Sequence, residues 1–169
     1  MAKLRVAGIV TESVVDGPGI RYTVFTQGCR HHCKGCHNPQ THDFSGGYEV
    51  DTDDLLEELI QDPLLQGVTF SGGDPFEQPA PLADLAAKVH KAGRDVMAYT
   101  GYTFEQLLER GEREPSVMDL LRQTDVLIDG RFVLELLDYD LRFRGSSNQR
   151  VIDVPQSLAT GRVVTFEFE

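Results

Sequence analysis

The chain has 169 residues, 40% of them hydrophobic, enough to bury one sizeable core and too few for two ordinary domains, so one domain over residues 1–169 is expected. Its 27 acidic residues outnumber 16 basic ones, and a net charge of −11 argues against a nucleic-acid surface, which needs clustered Lys and Arg. The sequence holds no apolar run of about 18 residues for a membrane span, and its opening MAKLRVAGIVTES lacks a signal peptide's apolar segment; a cytoplasmic, reducing setting is expected.

In chain order, Ile20 to Thr26 mixes β-branched and aromatic residues with polar ones, which predicts a strand leading into TQGCRHHCKGCHNP. Asp51 or Thr52 can cap a helix whose Leu55, Leu56, Leu59 and Ile60 share a face before Pro63. Gly67 to Ser71 reads as a strand ending in Gly72-Gly73-Asp74-Pro75. A helix follows, with Leu82, Leu85, Ala86 and Val89 at helical spacing and Gly93 as its stop. Asp95 to Thr100 predicts a strand, Gly101 a turn, and Thr103 to Arg110 a Thr-capped helix; Asp125 to Ile128 predicts another strand, followed by DGRF. The remainder is a short apolar stretch Val133 to Leu137, an Arg-rich segment Leu141 to Arg150, and a β-rich tail, VIDVP and then RVVTFEF.

Alternating strands and helices specify an α/β fold with a mostly parallel sheet. Only about half of an eight-fold barrel fits this length, so an incomplete, TIM-type β/α barrel is expected. Ligands of such folds gather at the C-terminal ends of the strands. The cysteine loop, GGDP, TGY and DGRF should then line one mouth.

Every cysteine lies in that first loop, as Cys29-x3-Cys33-x2-Cys36. Three clustered thiols in a reducing setting favour metal over disulfides. Structural zinc would need a fourth ligand, from His31, His32, His37, His42 or His90. An iron–sulfur cluster is the preferred reading, because three thiolates leave one iron of a four-iron cluster without a protein ligand. The three loop histidines are candidates to orient the loop or contact a ligand; His31 and His32 also read as solvated loop residues, and His37, adjoining the last thiol, is the better candidate for function.

The cysteine motif resembles the signature of radical S-adenosylmethionine enzymes. Together with DGPGIR, GCHNP, SGGDP, YTGY, LIDGRF and RGSSNQR, it is similar to the activating proteins of anaerobic (class III) ribonucleoside-triphosphate reductases, over roughly Val14 to Arg150. The resemblance implies that Cys29, Cys33 and Cys36 hold one [4Fe-4S] cluster, whose open iron takes the amino and carboxylate groups of S-adenosyl-L-methionine. It implies reductive cleavage to methionine and a 5′-deoxyadenosyl radical, which takes hydrogen from a glycine of the reductase and leaves a glycyl radical.

By the same resemblance Gly72, Gly73 and Asp74 meet the methionine end, and Gly35, Cys36 and His37 flank the adenosine end. Thr100, Gly101 and Tyr102 accept the ribose, and Asp129 and Arg131 complete the pocket. Asp74 has a second reading as a helix cap, Tyr102 as core packing, and Asp129-Gly130 as an ordinary turn. DGPGIR and RGSSNQR are candidates for the rim that meets the reductase. A flavodoxin or ferredoxin is the implied electron donor.

Gly35 departs from the commonest signature, which has an aromatic there, and the lack of further cysteines argues against a second cluster domain. An activator of another glycyl-radical enzyme, a small-molecule radical enzyme such as a carboxy-deazaguanine synthase, and a zinc-stabilised binding module remain as alternatives.

Overall fold

The computed structural model describes residues 2–167; Met1 and the end of the expected tail, Phe168 and Glu169, lie outside the described residues. Among these are seven strands and five helices. In order they are β1 (Lys3–Ser13), β2 (Arg21–Thr26), β3 (Tyr48–Asp51), α1 (Thr52–Gln61), β4 (Gly67–Gly72) and α2 (Pro79–Lys91). Then come β5 (Asp95–Tyr99), α3 (Phe104–Arg113), α4 (Pro115–Gln123), β6 (Val126–Asp129), β7 (Arg150–Asp153) and α5 (Val154–Thr160).

All seven strands form one sheet in the order β3-β1-β2-β4-β5-β6-β7. β2, β4, β5 and β6 pair in parallel, β1 runs antiparallel to both β2 and β3, and β7 runs antiparallel to β6. β3 therefore shares the direction of the central four, and the sheet is mostly parallel by strand direction, as expected. Register aligns the strand ends: Thr26 pairs with Gly72, Phe70 with Ala98, and Tyr99 with Ile128. The loops after β2, β4, β5 and β6 consequently leave from one edge.

Local signals explain the helices. Asp51 accepts from the Asp53 amide at 2.9 Å to start α1, and Asp53 and Asp54 favour the helix's positive end. Thr103 and Gln106 form a reciprocal capping box on α3, with bonds of 3.1 and 2.9 Å. α4 was not foreseen. It begins at Pro115, a residue favoured in a first helical turn, and buries Val117, Leu120 and Leu121 at helical spacing.

The C-terminal expectation needs correction, because α5 interrupts the β-rich tail. Asp153 accepts from the Gln156 amide at 3.0 Å and Pro155 sits in the first turn, so start signals outweigh the preceding β-branched residues. The tail then returns beside β7 through Asp153 N–H to Val164 and Phe166 N–H to Val151, both 2.8 Å.

Alternation in the strands divides the interior. Val68, Phe70, Val96, Ala98 and Leu127 pack with Leu55, Leu59, Leu82, Leu85, Leu107 and Leu120 in the main core, while Met97, Ile128 and Val151 form a smaller cluster with Tyr99 and Phe143. The loop from Asp16 to Ile20 is tied to the sheet by Arg21, which is 1% exposed. Its guanidinium donates to Thr69 Oγ1 at 2.7 Å, to the Val68 carbonyl at 2.8 Å and to Asp95 at 2.5 Å, while Thr69 Oγ1 donates to the Asp16 carbonyl at 3.0 Å. DGPGIR thus carries a buried anchor and is more than surface loop.

Candidate active site

The cysteine loop is closed at its neck by its own backbone. Gly28 N–H donates to the Thr41 carbonyl at 2.7 Å and Cys29 N–H to the His42 carbonyl at 3.1 Å. Gln27 braces the base, its amide donating to the carbonyls of Gln40 and Asp43 at 3.0 and 2.7 Å. The next loop locks onto the same neck: Gly73 N–H reaches Thr26 at 2.8 Å and Asp74 N–H reaches Gly28 at 2.9 Å. Gly72 has φ +94° and Gly35 has φ +77°, backbone geometry that glycine adopts without strain.

A cavity of about 370 Å³ opens at this edge. Cys29, Cys33, Cys36 and His37 line it from the first loop, Gly72 and Gly73 from the second, Thr100 and Gly101 from the third, and Gly130 and Phe132 from the fourth. All four expected loops therefore share one mouth. Burial pushes the Cys29 thiol up to about 11, opposed by the amides of His31 and His32, and burial raises Cys33 against the Phe132 amide. The Asn38 amide approaches Cys36 Sγ at 3.4 Å.

Backbone amides near all three sulfurs suit an iron–sulfur cluster, whose potential such bonds help set. The buried thiols release their protons on ligation by metal. Among the described residues no three His, Cys, Asp or Glu side chains converge on a point that could hold one ion. A single zinc needs ligands within about 2.0–2.3 Å of one centre, whereas a four-iron cluster spreads its thiolates over separate irons.

The histidines have other partners. His90 binds Gln123 and Asp125, His32 meets His42 edge-on with centroids 4.9 Å apart, and His37 packs on Phe132 at 5.1 Å. His31 corrects the expectation of a solvated side chain: its side chain is only 4% exposed and bonds Asp74 at 2.7 Å.

Five expected site residues, Gly35, Asp74, Tyr102, Asp129 and Arg131, do not line the cavity. Asp74 sits behind the wall, and its carboxylate is occupied inside the protein, including a cap on the Phe76 amide at 3.0 Å. The Tyr102 hydroxyl donates to Glu77, and burial followed by this bond raises its pKa. Asp129 accepts from the Phe104 amide at 2.8 Å and pairs with Arg150 at 2.5 Å. Gly35 and Arg131 are exposed, although Arg131's charge still reaches Cys33.

A family model described as a 4Fe-4S single cluster domain matches residues 15–152. The anaerobic ribonucleoside-triphosphate reductase-activating protein of Vibrio cholerae is 38% identical over 145 residues, 80% of this chain and 89% of that protein. The proteins of that name from Escherichia coli K12 and Enterobacteria phage T4 are 36% and 32% identical, over 82% and 81% of this chain and 91% and 86% of their own. The chain belongs to this activating-protein family. Its cofactor includes an iron–sulfur cluster, and among the described residues no helix is long and apolar enough to cross a membrane.

In this activating-protein family member, further residues complete the cavity wall: Asp16 of the DGPGIR segment with Val15 just before it, and Arg144, Gly145 and Gln149 of RGSSNQR. Gln149 holds the second segment in place, accepting from the amides of Gly145 and Ser146 at 2.9 and 3.1 Å and donating to the Gly130 carbonyl at 3.1 Å. Both segments were legible as motifs, but as outer rim only. Behind the third loop, the Glu77 side chain is 1% exposed and gathers Arg30, Tyr102 and Arg110. Its place two residues after Pro75 in the GGDP loop was the available signal.

Proposed function

We propose that this protein activates an anaerobic ribonucleoside-triphosphate reductase by installing a glycyl radical, using one [4Fe-4S] cluster and S-adenosyl-L-methionine. The observation that carries this reading is the convergence of three cysteines with Gly72, Gly73, Thr100 and Gly101 on one cavity. When bound, the reduced cluster supplies one electron that cleaves S-adenosylmethionine to methionine and a carbon radical, which takes one hydrogen atom from the target glycine.

The chain's own residues do the holding and shielding. Cys29, Cys33 and Cys36 would ligate three irons. Gly72 and Gly73 let backbone approach the methionine end, Thr100 and Gly101 face the sugar, and His37 with Phe132 offers an aromatic wall for adenine. Asp74, Tyr102 and Asp129 act from behind, by fixing the loops. The five co-directional strands suit an incomplete β/α barrel whose open side admits a peptide loop, with Val15, Asp16 and Arg144 in the cavity wall. A flavodoxin or ferredoxin of the cytoplasm is the matching one-electron donor.

The test is anaerobic reconstitution followed by mixing with reductase, S-adenosylmethionine and reductant. Electron paramagnetic resonance should show a glycyl doublet. Cys33→Ala should lose the cluster iron and the doublet together; a Cys33→Ala protein that still generates the doublet would refute the assignment.

A further inference from the structure

The second ring nitrogen of His31 has no role in the scheme above. Nε2 lies 2.7 Å from Asp74 Oδ2. The same carboxylate accepts from the Thr100 hydroxyl at 3.0 Å, the Gly101 amide at 2.9 Å and the Phe76 amide at 3.0 Å. Nε2 is the nitrogen that meets this acceptor, and with Nε2 donating, Nδ1 of a neutral ring is left as an acceptor. Nδ1 is buried and has no hydrogen-bond partner among the described residues. Native structures seldom leave a buried polar atom in that condition unless a partner is missing.

The ring's placement points to where the partner comes from. A Cβ at position 101 would meet Cδ2 and Nε2 at 2.4 and 2.7 Å, so that edge of the imidazole lies against Gly101. Nδ1 is on the opposite edge, and His31 forms part of the cavity wall beside Cys29, Cys33 and Gly73. The edge-on contact with Tyr102, at 4.5 Å between centroids, fixes the ring from a second side.

We propose that His31 is a cofactor-binding residue: Asp74 fixes its tautomer and orientation, and Nδ1 accepts a hydrogen bond from an N–H or O–H group of bound S-adenosylmethionine. Asp74 is then a positioning residue that acts through His31, which accounts for an acidic side chain sealed behind the wall rather than facing the ligand. The inference rests on the functional reading given above.

Two substitutions separate the nitrogens. In His31→Gln the side-chain amide can still donate to Asp74 but places no acceptor at the Nδ1 position. In His31→Asn the amide oxygen falls close to that position. Both are reconstituted anaerobically and their affinity for S-adenosylmethionine is measured by equilibrium dialysis without reductant, alongside iron content and melting temperature.

His31→Gln should keep wild-type iron and melting temperature and bind S-adenosylmethionine about tenfold more weakly, equivalent to ~1.4 kcal/mol; His31→Asn should recover part of that loss. Wild-type affinity in His31→Gln overturns the proposal, and so does loss of iron together with affinity, which would make His31 a structural residue of the loop. Failure of iron-replete wild-type protein to bind S-adenosylmethionine instead overturns the functional reading, and the role of His31 with it.

Discussion

A methyl group on residue 101 would overlap the His31 ring, with the nearest ring atoms at 2.4, 2.7 and 2.8 Å. The ring cannot retreat without leaving Asp74, because the Gly101 amide and His31 Nε2 share the same carboxylate oxygen. Gly101→Ala should therefore destabilise the protein by about 1–3 kcal/mol, the usual result of overpacking, although it removes no polar group. Chemical denaturation of wild type and variant measures this; an unchanged midpoint would mean that the third loop is free to shift. The glycines and cysteines facing the cavity were legible because their motifs follow strands, and strand ends fix where a loop begins. The directions of Asp74, Tyr102 and Asp129 were not legible, since each turns toward a partner distant in sequence: His31, Glu77 and Arg150. His31 was misread for the same reason, its burial depending on a carboxylate 43 positions away.

At the scale of elements, the end of α2 is joined to the start of β6 by His90, whose Nε2 lies 2.7 Å from Asp125 and Nδ1 2.8 Å from Gln123. Burial of the ring lowers its pKa, but the bonds to Asp125 and Gln123 outweigh it and the net value is raised above 6.5. The folded state then holds the proton more tightly than the unfolded chain. The stabilisation is complete below pH 6.5 and is lost as pH rises through the raised value. With the two side chains 32% and 37% exposed, it amounts to about 0.5 kcal/mol. Unfolding free energies from urea titrations at pH 6 and pH 9 should differ by that amount through His90 in wild type, and His90→Gln should remove this part of the decline; identical pH profiles would exclude the contact. α1 and α3, with capped starts, were legible, and α2 was legible from the spacing of Leu82, Leu85, Ala86 and Val89 and from Gly93 after it. β1 was overlooked although Leu4 and Val6 carry the alternation of a half-buried strand, and β3 spans only four residues with no buried side chain of its own. α4 follows α3 directly at Pro115, so a reading that ends a helix near proline misses the one beginning there.

For the molecule as a whole, the cavity draws on residues from Val15 to Gln149, contributed by the ends of four parallel strands and two flanking segments. These segments meet only in the folded sheet, so a ligand that contacts several of them binds the native state and not the unfolded chain. At a concentration one hundred times its dissociation constant, such a ligand adds about 2.7 kcal/mol to stability. For a chain of this length each kcal/mol moves the melting temperature by about 2–4 °C. Cluster-loaded protein with saturating S-adenosylmethionine should accordingly melt about 5–11 °C above cluster-loaded protein alone, in anaerobic calorimetry. Cys33→Ala should show little of this shift, because in the proposed function the open iron anchors the amino-acid end and the variant would lack it. If the variant shifted as far as wild type, binding would not depend on the open iron, and the side chains and backbone of the cavity wall alone would hold the ligand.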